Sequence, residues 1–145
     1  MNSDGAGLRV GVVVATFNEA ITEPLAQGAI EHLEALGVPD ITVVRVPGAL
    51  EVPVVAKALA GSHDAVVAVG AVIEGETDHY EHVATQTSAG LMQVSLDTGT
   101  PVGSAVLTVR SAAHAVDRSR PGPGNKGAEA AEAAVIAANA LKGLR

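Results

Sequence analysis

DAVVAVGAVIEGETDHYEHV, residues 64–83, is the stretch that decides the fold. It opens with the apolar run Ala65–Val69, continues through a segment that contains Gly70 and Gly75, and ends in the start of a helix. A short apolar run without alternating polar residues is typical of a strand that is buried on both faces. The stretch therefore predicts one strand, loop and helix of a parallel sheet.

Three other short apolar runs predict three further strands. They are Leu8–Ala15, Ile41–Val46 and Ala105–Val109. Helical patterns alternate with them: the stripe Leu25, Ala29, Leu33 and Leu36 that Gly37 ends, the segment Val52–Leu59 entered through Pro53, the stripe Tyr80, Val83, Ala84, Thr87 and Leu91, and the segment Ala128–Leu141. This alternation predicts a three-layer α/β/α sandwich with a central parallel four-stranded sheet, flavodoxin-like in arrangement.

Composition limits the chain to one domain and excludes several functional classes. Of the 145 residues, 48% are hydrophobic, which suffices for one core, so we expect a single domain over residues 1–145 with residues 1–7 as a flexible tail. A formal charge of -7 argues against nucleic acid as a partner, and the lack of cysteine excludes disulfides and thiolate chemistry. We find no signal peptide and no apolar run of membrane-spanning length, and we expect a cytoplasmic location.

Ligands of parallel sheets bind beyond the carboxyl ends of the strands, so the residues after each run are the candidates for a site. Phe17 follows the first run and is the only phenylalanine in the chain. Its ring either packs in the core or forms a platform for a flat heterocycle. After the second run, Glu51 is either a charge at a helix start or an acceptor for hydroxyl groups.

The segment after the third run has the features of a phosphate site. Gly75 and Thr77 precede a helix and offer backbone N–H groups, a hydroxyl and the positive end of the helix dipole. His79 lies in the first turn, where that dipole favours the neutral imidazole that a general base needs. His79 and His82 are three residues apart and could share a helical face with Glu76, which resembles a metal site. The HExxH spacing is absent and no further ligand is evident, so we expect no metal.

The glycine- and proline-rich stretch RSRPGPGNKG, residues 118–127, is predicted to be a loop between Val116 and the last helix. It is either a plain linker or an anion contact, and its basic residues Arg118, Arg120 and Lys126 favour the anion contact in an acidic chain.

Taken in order, these segments resemble the 6,7-dimethyl-8-ribityllumazine synthase family over almost the whole chain, from about Arg9 to Leu141. The matching pieces are the Phe17-Asn18 pair, RVPGALEVP at 45–53, HDAVVAVGAVIEGETDHYEHV at 63–83, GLMQVSLDTGTPV at 90–102, and Asp117-Arg118 followed by GNKGAEAA at 124–131. Members of this family condense 5-amino-6-ribitylaminouracil with 3,4-dihydroxy-2-butanone 4-phosphate and release phosphate and water. The resemblance implies that no cofactor takes part.

The resemblance also implies a role for each matching residue. Phe17 would stack on the pyrimidine ring, and Val72 and Ile73 would offer backbone groups to the ring edge. Asn18, Ala49 and Glu51 would bind near the ribityl chain, and Leu50 would be a further substrate-binding residue. Gly75, Glu76 and Thr77 would form the phosphate pocket with Arg118 as its cation, His79 would transfer protons, and Lys126 would approach the ligand from the GNKG loop.

Two positions and one longer stretch depart from the family pattern. Glu74 replaces a basic residue or Gln before the phosphate loop, which weakens the local positive field if its side chain points inward. Ser104 stands in the substrate site where many members have a second aromatic residue. The familiar LTTDT-EQA stretch reads LTVRSAAHA at 107–115, which changes the approach to Arg118.

These departures leave a second reading open, a non-catalytic flavin- or lumazine-binding protein or a shell-forming homologue. A generic flavodoxin-like FMN protein is disfavoured, because ATFNEA after the first strand lacks a Ser/Thr-rich phosphate cradle. Family sites lie between subunits of a homopentamer, and some members build sixty-subunit shells. The resemblance favours a pentamer here, and it suggests riboflavin synthase as a candidate partner.

Overall fold

A four-stranded parallel sheet forms the centre of the computed structural model, which describes all residues from 1 to 145. The strands are β1 (Arg9–Ala15), β2 (Asp40–Val46), β3 (Ala65–Ile73) and β4 (Val102–Val109). Their order in the sheet is β2-β1-β3-β4, and every neighbouring pair is parallel. The two central strands are almost entirely buried, as their apolar runs predict.

Five helices cover the two faces of the sheet. They are α1 (Glu19–Ala35), α2 (Val52–Ala60), α3 (His79–Thr98), α4 (Ala112–Ser119) and α5 (Lys126–Leu144), with a single 3₁₀ turn at Ala49–Glu51 before α2. One core cluster joins the sheet to α1, α4 and α5, and a second joins the opposite face to α2 and α3. The predicted three-layer α/β/α sandwich is therefore confirmed. None of the helices combines the length and the apolar character that a membrane span requires.

Helix α1 buries the predicted stripe. Leu25, Ala29 and Leu33 have no exposed surface, and Leu36 packs against the same core. Gly37 follows with φ of +90°, a left-handed conformation that glycine adopts without steric cost, so the helix ends where the sequence predicts.

The third and fourth strands are longer than the sequence predicts. β3 continues from Val69 to Ile73, and β4 begins at Val102 rather than Ala105. The reason is pairing between the two strands, since the register joins Gly70 to Val106 and Ile73 to Val109. Gly70 therefore lies inside a strand and does not start a turn.

The prediction of a loop over residues 118–127 is wrong at both ends. Arg118 and Ser119 belong to α4, a helix that the sequence reading omitted, and Lys126 is the first residue of α5. The hydroxyl of Ser111 accepts a hydrogen bond from the backbone N–H of His114 and caps α4. Ser111, a good N-cap residue before a short alanine-rich segment, was the sequence signal that could have predicted this helix.

Helix α5 packs closely on its neighbours because two glycines leave room for backbone contacts. A Cβ atom at Gly127 would lie 1.9 Å from the carbonyl oxygen of Leu25 in α1. A Cβ atom at Gly103 would lie 2.2 Å from the carbonyl oxygen of Ala130 in α5. Both distances are far below any possible contact, so α5 can occupy this position only if both residues are glycine.

Backbone groups near the amino terminus are hydrogen-bonded to the rest of the molecule. The N–H of Gly5 donates to the carbonyl of Leu36 at 2.7 Å, and the amide of Asn139 donates to the carbonyls of Asn2 and Asp4 at 3.0 and 2.8 Å. That residues 1–7 form a flexible tail stays a prediction.

Candidate active site

A cavity of about 510 Å³ lies at the carboxyl ends of β1, β2 and β3. Most of the site residues predicted from the sequence line this cavity. They come from the segments that follow three different strands. These residues are Phe17, Asn18, Ala49, Leu50, Glu51, Val72, Ile73, Gly75, Thr77 and His79. The loops at the edge where ligands of parallel sheets bind thus meet at one cavity.

The turn after β1 presents Phe17 to the cavity. Its backbone N–H donates to the carbonyl of Pro47 at 2.9 Å, which ties this turn to the loop after β2. The Phe17 side chain is 72% exposed, so it does not pack in the core of the chain. Of the two interpretations of this ring, the surface platform agrees with its position.

Asn18 fixes the same turn from the other side. It is the only residue other than glycine with a positive φ, 64°, and its side-chain amide donates to the carbonyl of Ala71 in β3 at 3.1 Å. Asparagine tolerates this conformation better than most residues. A strained residue that joins two strand ends at a cavity is typical of a functional site.

The loop after β2 is closed by Glu51. Its Oε1 atom accepts a hydrogen bond from the backbone N–H of Gly48 at 2.9 Å, which caps the 3₁₀ turn. Glu51 also lines the cavity, so the residue is both a charge at a helix start and an acceptor within reach of a ligand.

The loop after β3 leads into the amino terminus of α3. The hydroxyl oxygen of Thr77 accepts from the backbone N–H of His79 at 3.4 Å, and the side chain of Asp78 does not cap the helix. The first N–H groups of α3 therefore face the loop without a helical partner, which is the arrangement that binds anions. Glu76 and His82 are exposed nearby, and no three His, Cys, Asp or Glu side chains are grouped closely enough to hold a metal ion.

The cavity also includes four residues that the sequence reading did not nominate: Gly48, Ala71, Tyr80 and Val83. Tyr80 is the important one. The chain contains one phenylalanine, one tyrosine and no tryptophan, and both aromatic side chains line this cavity. The scarcity of aromatic residues was the signal that could have identified Tyr80.

Four of the residues predicted for the site do not line the cavity of their own chain, and Glu76, exposed in the loop after β3, is the first of them. Ser104 is exposed in β4, opposite Ala68 of β3. Arg118 donates to the carbonyl of His114 at 3.1 Å within α4, and Lys126 pairs with Glu129 at 3.0 Å within α5. None of the residues lining the cavity is a lysine or an arginine, so one chain alone offers a phosphate no cationic side chain there.

A second cavity, of about 680 Å³, shares no residue with the first. It lies between α1 and α5 beside the loop 121–125, and Glu31, Glu129 and Glu132 give it an acidic lining. His32 also lines this cavity, and its Nε2 atom lies 3.3 Å from Oε1 of Glu132.

Comparison with known proteins identifies the family of the chain. A family model described as 6,7-dimethyl-8-ribityllumazine synthase matches residues 7–142. Proteins of that name from Mycolicibacterium vanbaalenii and Mycobacterium sp. (strain KMS) are 48% and 46% identical over 97% and 98% of this chain and 91% and 90% of their own lengths. The protein of the same name from Thermococcus kodakarensis is 46% identical over 97% of this chain and 91% of its own. The chain belongs to the 6,7-dimethyl-8-ribityllumazine synthase family.

Proposed function

We propose that the cavity at the ends of β1, β2 and β3 is where this chain joins 5-amino-6-ribitylaminouracil to 3,4-dihydroxy-2-butanone 4-phosphate. The products are 6,7-dimethyl-8-ribityllumazine, phosphate and water. The observation that carries this proposal is the pairing, in one cavity, of an exposed aromatic ring, Phe17, with the amino terminus of α3, where the N-cap side chain of Asp78 makes no capping hydrogen bond. A flat ring and a phosphate are the two features that these groups recognise.

The ring and ribityl chain would occupy the part of the cavity beside Phe17. Stacking on an exposed aromatic face contributes about 0.5–1.5 kcal/mol beyond the burial of area. Glu51 is an acceptor for ribityl hydroxyls, while Asn18 holds the Phe17 turn against β3 and fixes where the ring lies. Backbone groups of Val72 and Ile73, at the end of β3, would bind the edge of the ring.

The phosphate would lie at Gly75–Thr77, against the first turn of α3. Both substrates are already reactive, so the main contribution of the enzyme is to hold the amine and the ketone together, which can lower the barrier by several kcal/mol. His79, in that first turn, would move protons during imine formation and phosphate departure. The leaving phosphate is stabilised by the helix amino terminus and by an arginine cation.

That arginine would come from a second copy of the chain. Ser104, Arg118 and Lys126 lie outside the cavity of their own chain, and a complete phosphate site needs a cation. The outer face of α2 and α3 supports such an association, because Val54, Met92 and Leu96 expose most of their apolar side chains there. Helix α3 has 20 residues of which only Thr87, Leu91 and Val94 are buried, so a single chain leaves most of it uncovered.

We therefore propose a homo-oligomer with each site between neighbouring copies, and a homopentamer as its form. The sixty-subunit shell, contact with riboflavin synthase and the cytoplasmic location stay predictions.

The activity is tested with purified protein and both substrates, by following lumazine fluorescence and phosphate release together. Equal amounts of the two products are expected. If the protein binds the lumazine but forms neither product, the non-catalytic reading is correct instead.

The shared site is tested by mixing two inactive chains. Co-expressed His79→Ala and Arg118→Ala chains should regain about a quarter of wild-type activity, because one interface in four then carries both intact residues. Each variant alone is the control. A mixture no more active than its separate components would show that each chain completes its own site.

A further inference from the structure

The proposed phosphate loop lies in an acidic segment. Residues 74–81 contain four carboxylates, Glu74, Glu76, Asp78 and Glu81, and neither lysine nor arginine. A phosphate dianion is repelled by carboxylates, and this repulsion is large enough to oppose the attraction of one helix amino terminus. Glu74 matters most, because it directly precedes Gly75 and its place in the family pattern is usually basic or Gln.

Strand pairing places one arginine beside Glu74. Ile73 is in register with Val109, and the backbone N–H of Glu74 donates to the carbonyl of Val109 at 2.9 Å. The residues that follow, Glu74 and Arg110, are therefore neighbours at the sheet edge although 36 positions separate them. The Nε atom of Arg110 lies 3.8 Å from Oε2 of Glu74.

This contact is the only ion pair that residues 74–81 make. The other five ion pairs of the chain lie in other segments. The side chain of Arg110 is 88% exposed and that of Glu74 is 46% exposed, so the pair has little value for folding stability. The pair also lies directly before the loop Gly75–Thr77, where its charges act on a phosphate that binds there.

We propose that Arg110 is a positioning residue for the phosphate-bearing substrate, acting by offsetting the charge of Glu74. This inference rests on the proposed function of the cavity. Arg110 holds the Glu74 carboxylate in an ion pair, so the loop Gly75–Thr77 and the α3 amino terminus present a net attraction to the dianion. The altered stretch LTVRSAAHA thus supplies the compensation that Glu74 requires.

The experiment measures inorganic phosphate as a competitive inhibitor, together with the KM of each substrate, in four proteins. Arg110→Ala should raise the phosphate inhibition constant and the KM of the butanone phosphate about three- to tenfold at low salt, with the KM of ribitylaminouracil unchanged. The effect should shrink at about 1 M salt, where screening is nearly complete. Arg9→Ala is the matched control, because it removes the same charge from an ion pair with Asp40. That pair lies at the amino ends of β1 and β2, whereas the cavity lies at their carboxyl ends.

The double variant Glu74→Gln with Arg110→Ala decides the mechanism. We expect it to bind phosphate within about twofold of the wild type, since the carboxylate that Arg110 offsets is removed together with Arg110. If the double variant binds phosphate as weakly as Arg110→Ala, or if Arg110→Ala changes nothing, the proposal is overturned. Failure of the proposed function gives a different result from failure of this proposal, because the wild-type protein would then form no lumazine at all.

Discussion

Replacing Asn125 by alanine should destabilise the protein more than any other single change of a polar side chain that makes no ion pair. Asn125 is 2% exposed and lies between α4, α5 and α1. Its amide donates to the carbonyls of Ser119 at 3.0 Å, Arg120 at 3.1 Å and Pro24 at 3.4 Å. Its Oδ1 atom accepts from the N–H of Ala128 at 3.0 Å and caps α5.

The magnitude follows from these contacts. The two shorter donations contribute about 1 kcal/mol each, and the cap contributes about 1 kcal/mol more. The long bond to Pro24 adds little. We expect Asn125→Ala to lower the free energy of unfolding by about 3 kcal/mol, and to lower Tm by roughly 6–12 °C, since about 2–4 °C corresponds to 1 kcal/mol in a domain of this size.

Thermal and urea unfolding at a fixed subunit concentration measure this loss, because association itself stabilises the folded chain. Asn139→Ala is the control: it removes an asparagine within α5, the helix that Asn125 caps, and this side chain also donates two hydrogen bonds, to the exposed backbone of Asn2 and Asp4. Its effect should stay below about 1 kcal/mol. If the two variants unfold within about 2 °C of each other, which is under 1 kcal/mol, the energetic reasoning about Asn125 is wrong.

Three further predictions concern the site and the surface. His79→Ala should slow turnover by about 10- to 1,000-fold, while His82→Ala, one turn away, should be close to silent in steady-state assays. Phe17→Ala should weaken binding of the ribityl substrate by roughly tenfold in titration calorimetry, with Tm unchanged because the ring is exposed. The hydrogen bond from Arg45 holds the pKa of Glu23 below its usual value of 4.5. The stability that this pair adds to the fold is therefore present above pH 4.5 and is lost as the pH falls through the depressed pKa. Arg45→Ala should remove this dependence on acid pH and lower the free energy of unfolding by less than about 1 kcal/mol, because the pair is exposed.

Much of the candidate site was predictable because its residues follow their strands directly. Phe17, Glu51 and Thr77 lie in three loops that a parallel sheet must bring to one edge, whatever the details of packing. Tyr80 was not predicted as a site residue, because its helical spacing is equally typical of a residue that packs in the core. Helix α4 escaped prediction because eight residues give a weak periodic signal, and its cap at Ser111 had no long apolar run after it.

The sequence by itself determined the alternation of strands and helices and the chemistry of the three loops, because these depend on residues close together in the chain. That alternation in turn predicted a parallel sheet. Only the tertiary structure decided what depends on distant pairing. β3 ends at Ile73 because β4 pairs with it, and the same register places Arg110 beside Glu74. Packing also places Lys126, the first residue of α5, outside the cavity of its own chain, since α5 docks through Gly127 onto α1, a contact that no local pattern encodes.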